Sequence, residues 1–162
     1  MSENNNSVSY DVNGYDEVTA ALRSLINSYA ELAEGGKISF SELPEDGGKA
    51  WYPLSGAVVE REMKSITGNI FQICGYPFQV IFRVAGSNEN RKADTKEALD
   101  AFGVWLEKTT DFPTLTGGRK FTEIRRTTPA YLATVNDNAT EDWEMSVVAR
   151  YSNFYRIGEN DG

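Results

Sequence analysis

Histidine is absent from the chain of 162 residues, and only one cysteine, Cys74, is present. Mechanisms that rely on an imidazole, in serine or cysteine nucleophile systems and at histidine-ligated metals, are therefore excluded unless a partner protein supplies the imidazole. A single cysteine also excludes an internal disulfide framework and a zinc site built from several cysteines. We expect neither enzymatic activity nor a cofactor.

Long hydrophobic runs are missing as well. No stretch approaches the roughly eighteen apolar residues that a membrane-spanning helix needs. Residues 1–10, MSENNNSVSY, contain neither the basic region nor the apolar core of a signal peptide. These absences predict a soluble intracellular protein that does not contact a membrane.

Positive charge is in short supply. The chain has 16 Lys and Arg against 24 Asp and Glu, which gives a formal net charge of −8. Affinity for a phosphate backbone depends on neutralising phosphates with basic side chains, so this balance disfavours tight DNA binding.

What the sequence does contain is one strongly β-forming stretch, residues 70–85, which reads IFQICGYPFQVIFRVA. Aromatic and β-branched residues lie on both sides of Gly75-Tyr76-Pro77, and glycine next to proline is typical of a turn. Apolar residues occupy both odd and even positions, as expected for strands covered on both faces. The stretch therefore predicts a central β-hairpin, with Cys74 as a buried strand residue.

Two segments with helical periodicity flank this predicted hairpin in the sequence. The spacing of apolar residues predicts one helix over residues 16–34, ended by Gly35-Gly36, and a second from Asp94 or Thr95 to Lys108. The predicted buried face of the second helix consists of Ala98, Leu99, Ala101, Phe102, Trp105 and Leu106.

Alternating patterns predict the remaining strands. They are expected over residues 37–43, 58–66 and 143–155, with a penultimate strand around residues 121–132 that is broken near Pro129. Pro53 argues against a central strand at residues 51–54. The predicted fold class is α+β, a mixed and mainly antiparallel β-sheet packed with two α-helices. Residues 15–156 form one domain, flanked by a flexible N-terminal arm (1–14) and a C-terminal tail (157–162).

The predicted strand at residues 58–66 carries the candidate site residues Glu60, Arg61, Glu62 and Lys64. Simple alternation places Glu60, Glu62 and Lys64 on one face and Arg61 on the other. A strand of mixed charge could form a subunit interface or line a channel. It could equally be an edge strand that charge protects against aggregation.

Two further patterns are weaker. Glu141, Asp142 and Glu144 form the densest acidic cluster, which could in principle serve metal-dependent or glycosidase chemistry, but sequence neighbours before a strand usually form a solvated turn. Three Gly-Gly-basic triplets do not fit the phosphate-binding loop pattern, because Ile38 and Ala50 occupy the positions where a metal-binding hydroxyl would be needed. They are expected to be turns.

From residue 32 to residue 156 the order of landmarks resembles a family of short siphophage proteins, often labelled minor capsid proteins and sometimes, misleadingly, chloramphenicol resistance proteins. The matching residues are Glu34-Gly35-Gly36-Lys37-Ile38, Tyr52 and Leu54, Gln79 with the apolar run to Ala85, Phe102 with Trp105-Leu106-Glu107, Tyr131-Leu132, and Thr140-Glu141-Asp142 with the strand ending near Tyr155. The chloramphenicol label implies an acetyltransferase-like chemistry with a histidine base, which this chain lacks.

The resemblance implies a tail terminator, also called a tail-completion protein, of α+β fold. Its implied partners are further copies in a hexameric ring, the major tail tube protein and the head-tail connector protein, with DNA passing through the ring without specific binding. Its implied location is the head-tail interface of the virion, after synthesis in the cytoplasm of the host bacterium. A head-closure or neck connector protein is the alternative, and a small carboxylate-based metal-dependent enzyme is a remote one.

Overall fold

The computed structural model describes residues 12–32, 37–85 and 89–156. Helix α1 covers Val12–Leu32 and α2 covers Glu89–Lys108. The strands are β1 Ile38–Phe40, β2 Gly48–Pro53, β3 Val58–Lys64, β4 Asn69–Ala85, β5 Arg119–Arg126, β6 Tyr131–Val135 and β7 Thr140–Arg156. They form one seven-stranded sheet in which only β1 and β2 run parallel, so the predicted α+β class is confirmed.

Two strands of 17 residues, β4 and β7, form the centre of the sheet. They pair along their whole length, from Asn69 opposite Arg156 to Ala85 opposite Thr140. The shorter strands lie beside successive parts of this central pair. On the β4 side, β3 pairs with residues 70–75 and β2 with residues 78–83; on the β7 side, β6 pairs with residues 141–144 and β5 with residues 147–153.

The predicted hairpin at residues 70–85 is wrong, because this stretch is the single strand β4. Tyr76 and Pro77 continue the pairing with Ala149 and Val148 of β7, and Tyr76 is fully buried. The carbonyl oxygen of Pro77 accepts a hydrogen bond from the Leu54 N–H at 3.0 Å, so the proline nitrogen points to the same outer side. On that side, Pro77 lies between the end of β3 and the end of β2. Because neither strand pairs with Pro77, the missing proline N–H removes no hydrogen bond between strands.

Both helices cover the face of the sheet formed by the even-numbered residues of β4. Tyr15 of α1 stacks on Tyr76 with ring centroids 5.3 Å apart. Helix α2 packs closely at Gly103, where a Cβ atom would meet Met145 of β7. Tyr29 of α1 lies 4.9 Å from Phe102 of α2 between ring centroids, which joins the helices to each other. The opposite face, which we call the helix-free face, has no described helix on it.

The helices differ from their predicted bounds. Helix α1 begins at Val12, so the predicted N-terminal arm at 1–14 extends too far. The remainder of that predicted arm lies outside the described residues, as do the predicted glycine stop at residues 35–36 and the predicted tail at 157–162. Helix α2 begins at Glu89 rather than near Asp94, and Lys92 in its first turns forms an ion pair with Glu141 of β7 at 3.0 Å. The first turns of α2 lack a strong helix-start signal in the sequence, and this ion pair attaches them to the sheet.

The predicted buried face of α2 is largely confirmed. Leu99, Phe102 and Leu106 are fully buried, and Trp105 is half-buried against the core. Ala101 is exposed, so its prediction is wrong. Cys74 is buried in β4, as predicted.

Pro53 does not prevent a strand at residues 51–53, although the strand ends there. Pro53 is the last residue of β2, which lies between β1 and β4, and Trp51 is buried within that strand. A terminal proline leaves the preceding ladder bonds intact. None of the described helices is long and apolar enough to cross a bilayer.

Candidate interaction surface

Strand β3 lies at an edge of the sheet and contains all four predicted site residues. A β-bulge between Val59 and Arg61 leaves Glu60 as the unpaired extra residue and shifts the alternation. Arg150, which pairs with Glu60, lies opposite Gly75 on the helix-free face, whereas Glu62 lies opposite Gln72 on the helix-covered face. The prediction that Glu60 and Glu62 share one face is therefore wrong.

Glu60 is held in an ion-pair network on the helix-free face. The Arg150 guanidinium donates through Nε to Glu60 at 2.8 Å and through Nη1 to Glu123 at 3.1 Å. The Glu60 carboxylate raises the pKa of Arg150, and hydrogen bonding to Arg125 lowers the pKa of Glu123. A Cβ atom at Gly75 would overlap the Glu60 carboxylate, so the absence of a side chain there permits this packing. Glu60 thus stabilises the sheet itself.

Glu62 takes part in a second, partly buried network. Its Oε1 accepts a hydrogen bond from the Gln72 amide at 2.7 Å, and Gln72 in turn accepts one from Asn153 at 3.1 Å. Gln72 and Asn153 are buried. Lys64 lies 4.0 Å from Glu62 and is largely exposed, so that contact is weak. All four charged residues of β3 are exposed, and among the described contacts Arg61 and Lys64 are less strongly engaged than the two glutamates.

The end of the sheet around β3 also exposes large apolar side chains. We call this region the β3 corner: residues 58–67 with the last residues of β7, 154–156. Met63, Phe71 and Phe154 lie directly opposite one another on three adjacent strands, on the helix-free face. The exposed apolar side chains of the β3 corner are Met63, Ile66, Phe154 and Tyr155.

A second exposed edge lies at the diagonally opposite end of the sheet. All five residues of β6 are exposed, including Leu132 at 44% and Val135 at 63%, and none of them is charged. The turn after β6 lies beside the loop between β1 and β2, since Asn138 Nδ2 donates to the carbonyl oxygen of Glu45 at 3.1 Å. We call β6, its following turn and residues 42–46 the β6 corner.

The β6 corner is acidic, whereas the β3 corner contains three basic residues, Arg61, Lys64 and Arg156, and two acidic ones, Glu60 and Glu62. The exposed carboxylates of the β6 corner are those of Glu42, Glu45, Asp46 and Asp137. Sequence reasoning treated Tyr131 and Leu132 only as part of a broken strand and missed this surface. The available signal was the uncharged run YLATV at residues 131–135, which is unusual for an exposed strand.

The acidic cluster near the start of β7 does not converge on one site. Asp142 and Glu144 lie on the helix-free face, whereas Glu141 points to the other face and pairs with Lys92. Asp142 makes a two-pronged ion pair with Arg83, which lowers the pKa of Asp142. Burial, followed by the nearby Asp142 charge, raises the pKa of Glu144. Within the described ranges, no group of three or more carboxylate or cysteine side chains is arranged to hold a metal ion.

An open groove of about 570 Å³ lies between α2 and the ends of β2 and β4. Its lining mixes Lys49 and Arg91 with Asp94 and the ring of Phe82. The Lys49 ammonium lies over the Phe82 ring, 4.9 Å from its centroid, and burial lowers the pKa of Lys49. These residues provide a charged groove wall without a nucleophile and base in contact with each other.

No protein-family model matches the sequence, and a search of curated proteins found no relative.

Proposed function

We propose that this protein is a structural virion protein of a siphophage: a tail terminator, which forms a ring that caps the tail tube and joins it to the head-tail connector. The order of sequence landmarks, from Glu34-Gly35-Gly36 to the long closing strand, resembles that family. The α+β fold is the fold that the resemblance implies.

The observation that carries the proposal is the one-sided sheet. Two helices cover one face, while the helix-free face has no described helix on it and is largely half-buried along β4 and β7. The edge strands β3 and β6, at opposite corners, expose large apolar side chains. An uncharged exposed edge strand such as β6 can pair with other chains through its free backbone N–H and C=O groups, so it is an aggregation risk for a protein that functions as a monomer. A subunit of a ring needs two such surfaces, because each copy contacts one neighbour on either side.

The charge of the chain supports passage of DNA through the ring without specific binding. Each subunit contributes a net charge of −8, and repeated copies would repel the phosphate backbone over about a Debye length. Of the two β3 carboxylates, Glu60 and Glu62, the better candidate for the lumen is Glu62. The charge of Glu60 is paired with the Arg150 guanidinium at 2.8 Å, whereas Glu62 accepts from the neutral Gln72 amide and lies 4.0 Å from Lys64. Exchange of Glu62 for Lys is expected to leave tail length unchanged and to slow DNA ejection. If tails lengthen instead while ejection is normal, Glu62 belongs to the surface that caps the tube.

The terminator role is tested by mixing the purified protein with tail tubes or with DNA-filled heads and imaging each mixture by negative-stain electron microscopy. Ring-shaped caps at one end of the tubes, together with an arrest of tube growth, are the expected result. Rings that bind heads and leave tubes bare would instead indicate a head-closure protein. Absence of binding to both would overturn the virion proposal.

A further inference from the structure

We propose that the protein assembles head to tail with copies of itself, through antiparallel pairing of the β3 edge of one subunit with the β6 edge of the next. This inference rests on the ring proposed above, and it names the two surfaces that build the ring.

Strand directions favour this pairing. β3 and β7 both run antiparallel to β4, and β6 runs antiparallel to β7, so β3 and β6 are antiparallel to each other within one subunit. A neighbour placed beside the sheet in the same orientation would therefore present its β3 antiparallel to β6. The helix-free face of this neighbour would continue the helix-free face of the first subunit. The sheet would therefore extend across both subunits with the helices of both on the same side.

The β3 edge and the β6 edge of one subunit cannot pair with each other. β3 lies beside the part of β4 that faces residues 150–155 of β7, whereas β6 lies beside residues 141–144. This separation corresponds to roughly 30 Å along the strands, and the central pair of strands lies between the two edges. A contact between two different surfaces is heterologous, and it closes into a ring when the rotation between neighbours permits.

The chemistry of the two corners is complementary. The β3 corner presents Arg61 and Lys64 next to the exposed side chains of Met63 and Ile66. Its two acids are already engaged within the subunit, Glu60 by Arg150 and Glu62 by Gln72. The β6 corner presents the apolar side chains of Leu132 and Val135 beside the acidic residues Glu42, Glu45, Asp46 and Asp137. Pairing would cover apolar side chains in the centre and bring opposite charges together at the rim.

The test uses two variants of the full chain, each of which blocks one edge. Val135→Arg places a charge on β6, and Met63→Glu places on β3 an acid that would face the acidic β6 corner of the next subunit. Both residues are exposed, so folding should be retained, which circular dichroism and thermal unfolding check. Val104→Lys on the outer side of α2, where Val104 is 37% exposed, is the matched control.

Sedimentation velocity at micromolar protein should show a closed oligomer for the wild type and for Val104→Lys, and monomers for each edge variant. An equimolar mixture of the two edge variants should assemble into dimers or larger oligomers. One intact β3 and one intact β6 remain to meet, and the two altered edges carry opposite charges. The subunit affinity of each variant alone should fall at least tenfold.

Three results would overturn the inference: a wild-type protein that stays monomeric, a Met63→Glu variant that assembles like the wild type, or a mixture that stays monomeric. Dimers of Met63→Glu alone would indicate that β6 pairs with β6 of a second copy instead. The tube-capping assay separates this inference from the proposed function. Edge-dependent oligomers that do not cap tubes would refute the terminator role alone, and capping that is unaffected by both variants would refute the interface alone.

Discussion

The ion pair between Arg83 and Asp142 allows a quantitative test of how the helix-free face is stabilised. Arg83 Nε donates to one carboxylate oxygen at 2.7 Å and Nη2 to the other at 2.9 Å. The two side chains are only 19% and 8% exposed, and Asn136 donates a further bond to Asp142 at 3.1 Å. Asp142 is therefore expected to have a structural role in joining β4, β7 and the turn after β6.

Exchange of Asp142 for Ala should lower the free energy of unfolding by about 3 kcal/mol. Removing one partner of a buried ion pair typically costs about 3 to 5 kcal/mol, because the remaining charge loses its compensation. We expect the lower end of that range, since Arg83 keeps some solvent contact and its bond to the Pro44 carbonyl oxygen. For a chain of this size the loss corresponds to a decrease in Tm of roughly 6 to 12 °C.

Urea denaturation of Arg83→Met, Asp142→Leu and the variant with both substitutions measures the coupling between the two residues. The double variant replaces both charges with apolar groups and should regain most of the loss, which gives a coupling energy of about 2 kcal/mol. A loss below about 1 kcal/mol with a coupling below about 0.5 kcal/mol would show that the pair behaves as a solvent-screened surface contact, and the reasoning would be wrong.

The loss of stability in Asp142→Ala should depend on pH. Arg83 lowers the pKa of Asp142 in the folded protein, so the stabilisation is fully present above the unfolded pKa of about 3.9 and is lost as the pH falls through the folded pKa. The difference between wild type and Asp142→Ala should therefore be constant from neutral pH down to about pH 5 and shrink below about pH 4. A difference that grows on acidification would contradict the assigned sign.

Three further predictions concern the core and one turn. Leu106→Ala should cost about 2 to 5 kcal/mol in urea denaturation because Leu106 is fully buried, whereas Val104→Ala on the outer side of the same helix should cost less than about 0.5 kcal/mol. Burial strongly raises the pKa of Tyr76, so in an ultraviolet titration Tyr76 should stay protonated when the exposed tyrosines have ionised, and unfolding should release it. Gly118→Ala should destabilise by about 1 to 3 kcal/mol in thermal unfolding, because Gly118 has φ of +80° and a Cβ there would meet the Phe154 carbonyl oxygen.

The sequence by itself determined the fold class and most of its elements. The alternation at 143–155 and the helical spacing at 16–34 predict the type of element that the structure contains there, because local periodicity records which side chains face the core. The β-branched and aromatic run at residues 70–85 predicts β-structure correctly but a hairpin wrongly. The sequence likewise contains no histidine, so an imidazole at any site of this chain would have to come from a partner.

Only the tertiary structure decided whether Gly75-Tyr76-Pro77 turns the chain or continues the strand. The outcome depends on β7, which pairs with β4 along its whole length, and on the gap between β3 and β2 that receives the proline nitrogen. The faces of Glu60 and Glu62 depend on a bulge that their own spacing does not reveal. The exposure of β6 likewise depends on whether another segment of the chain packs against it, which its own sequence does not reveal. Pairing partners, gaps and coverage are properties of distant segments, and a local pattern of side chains contains no record of them.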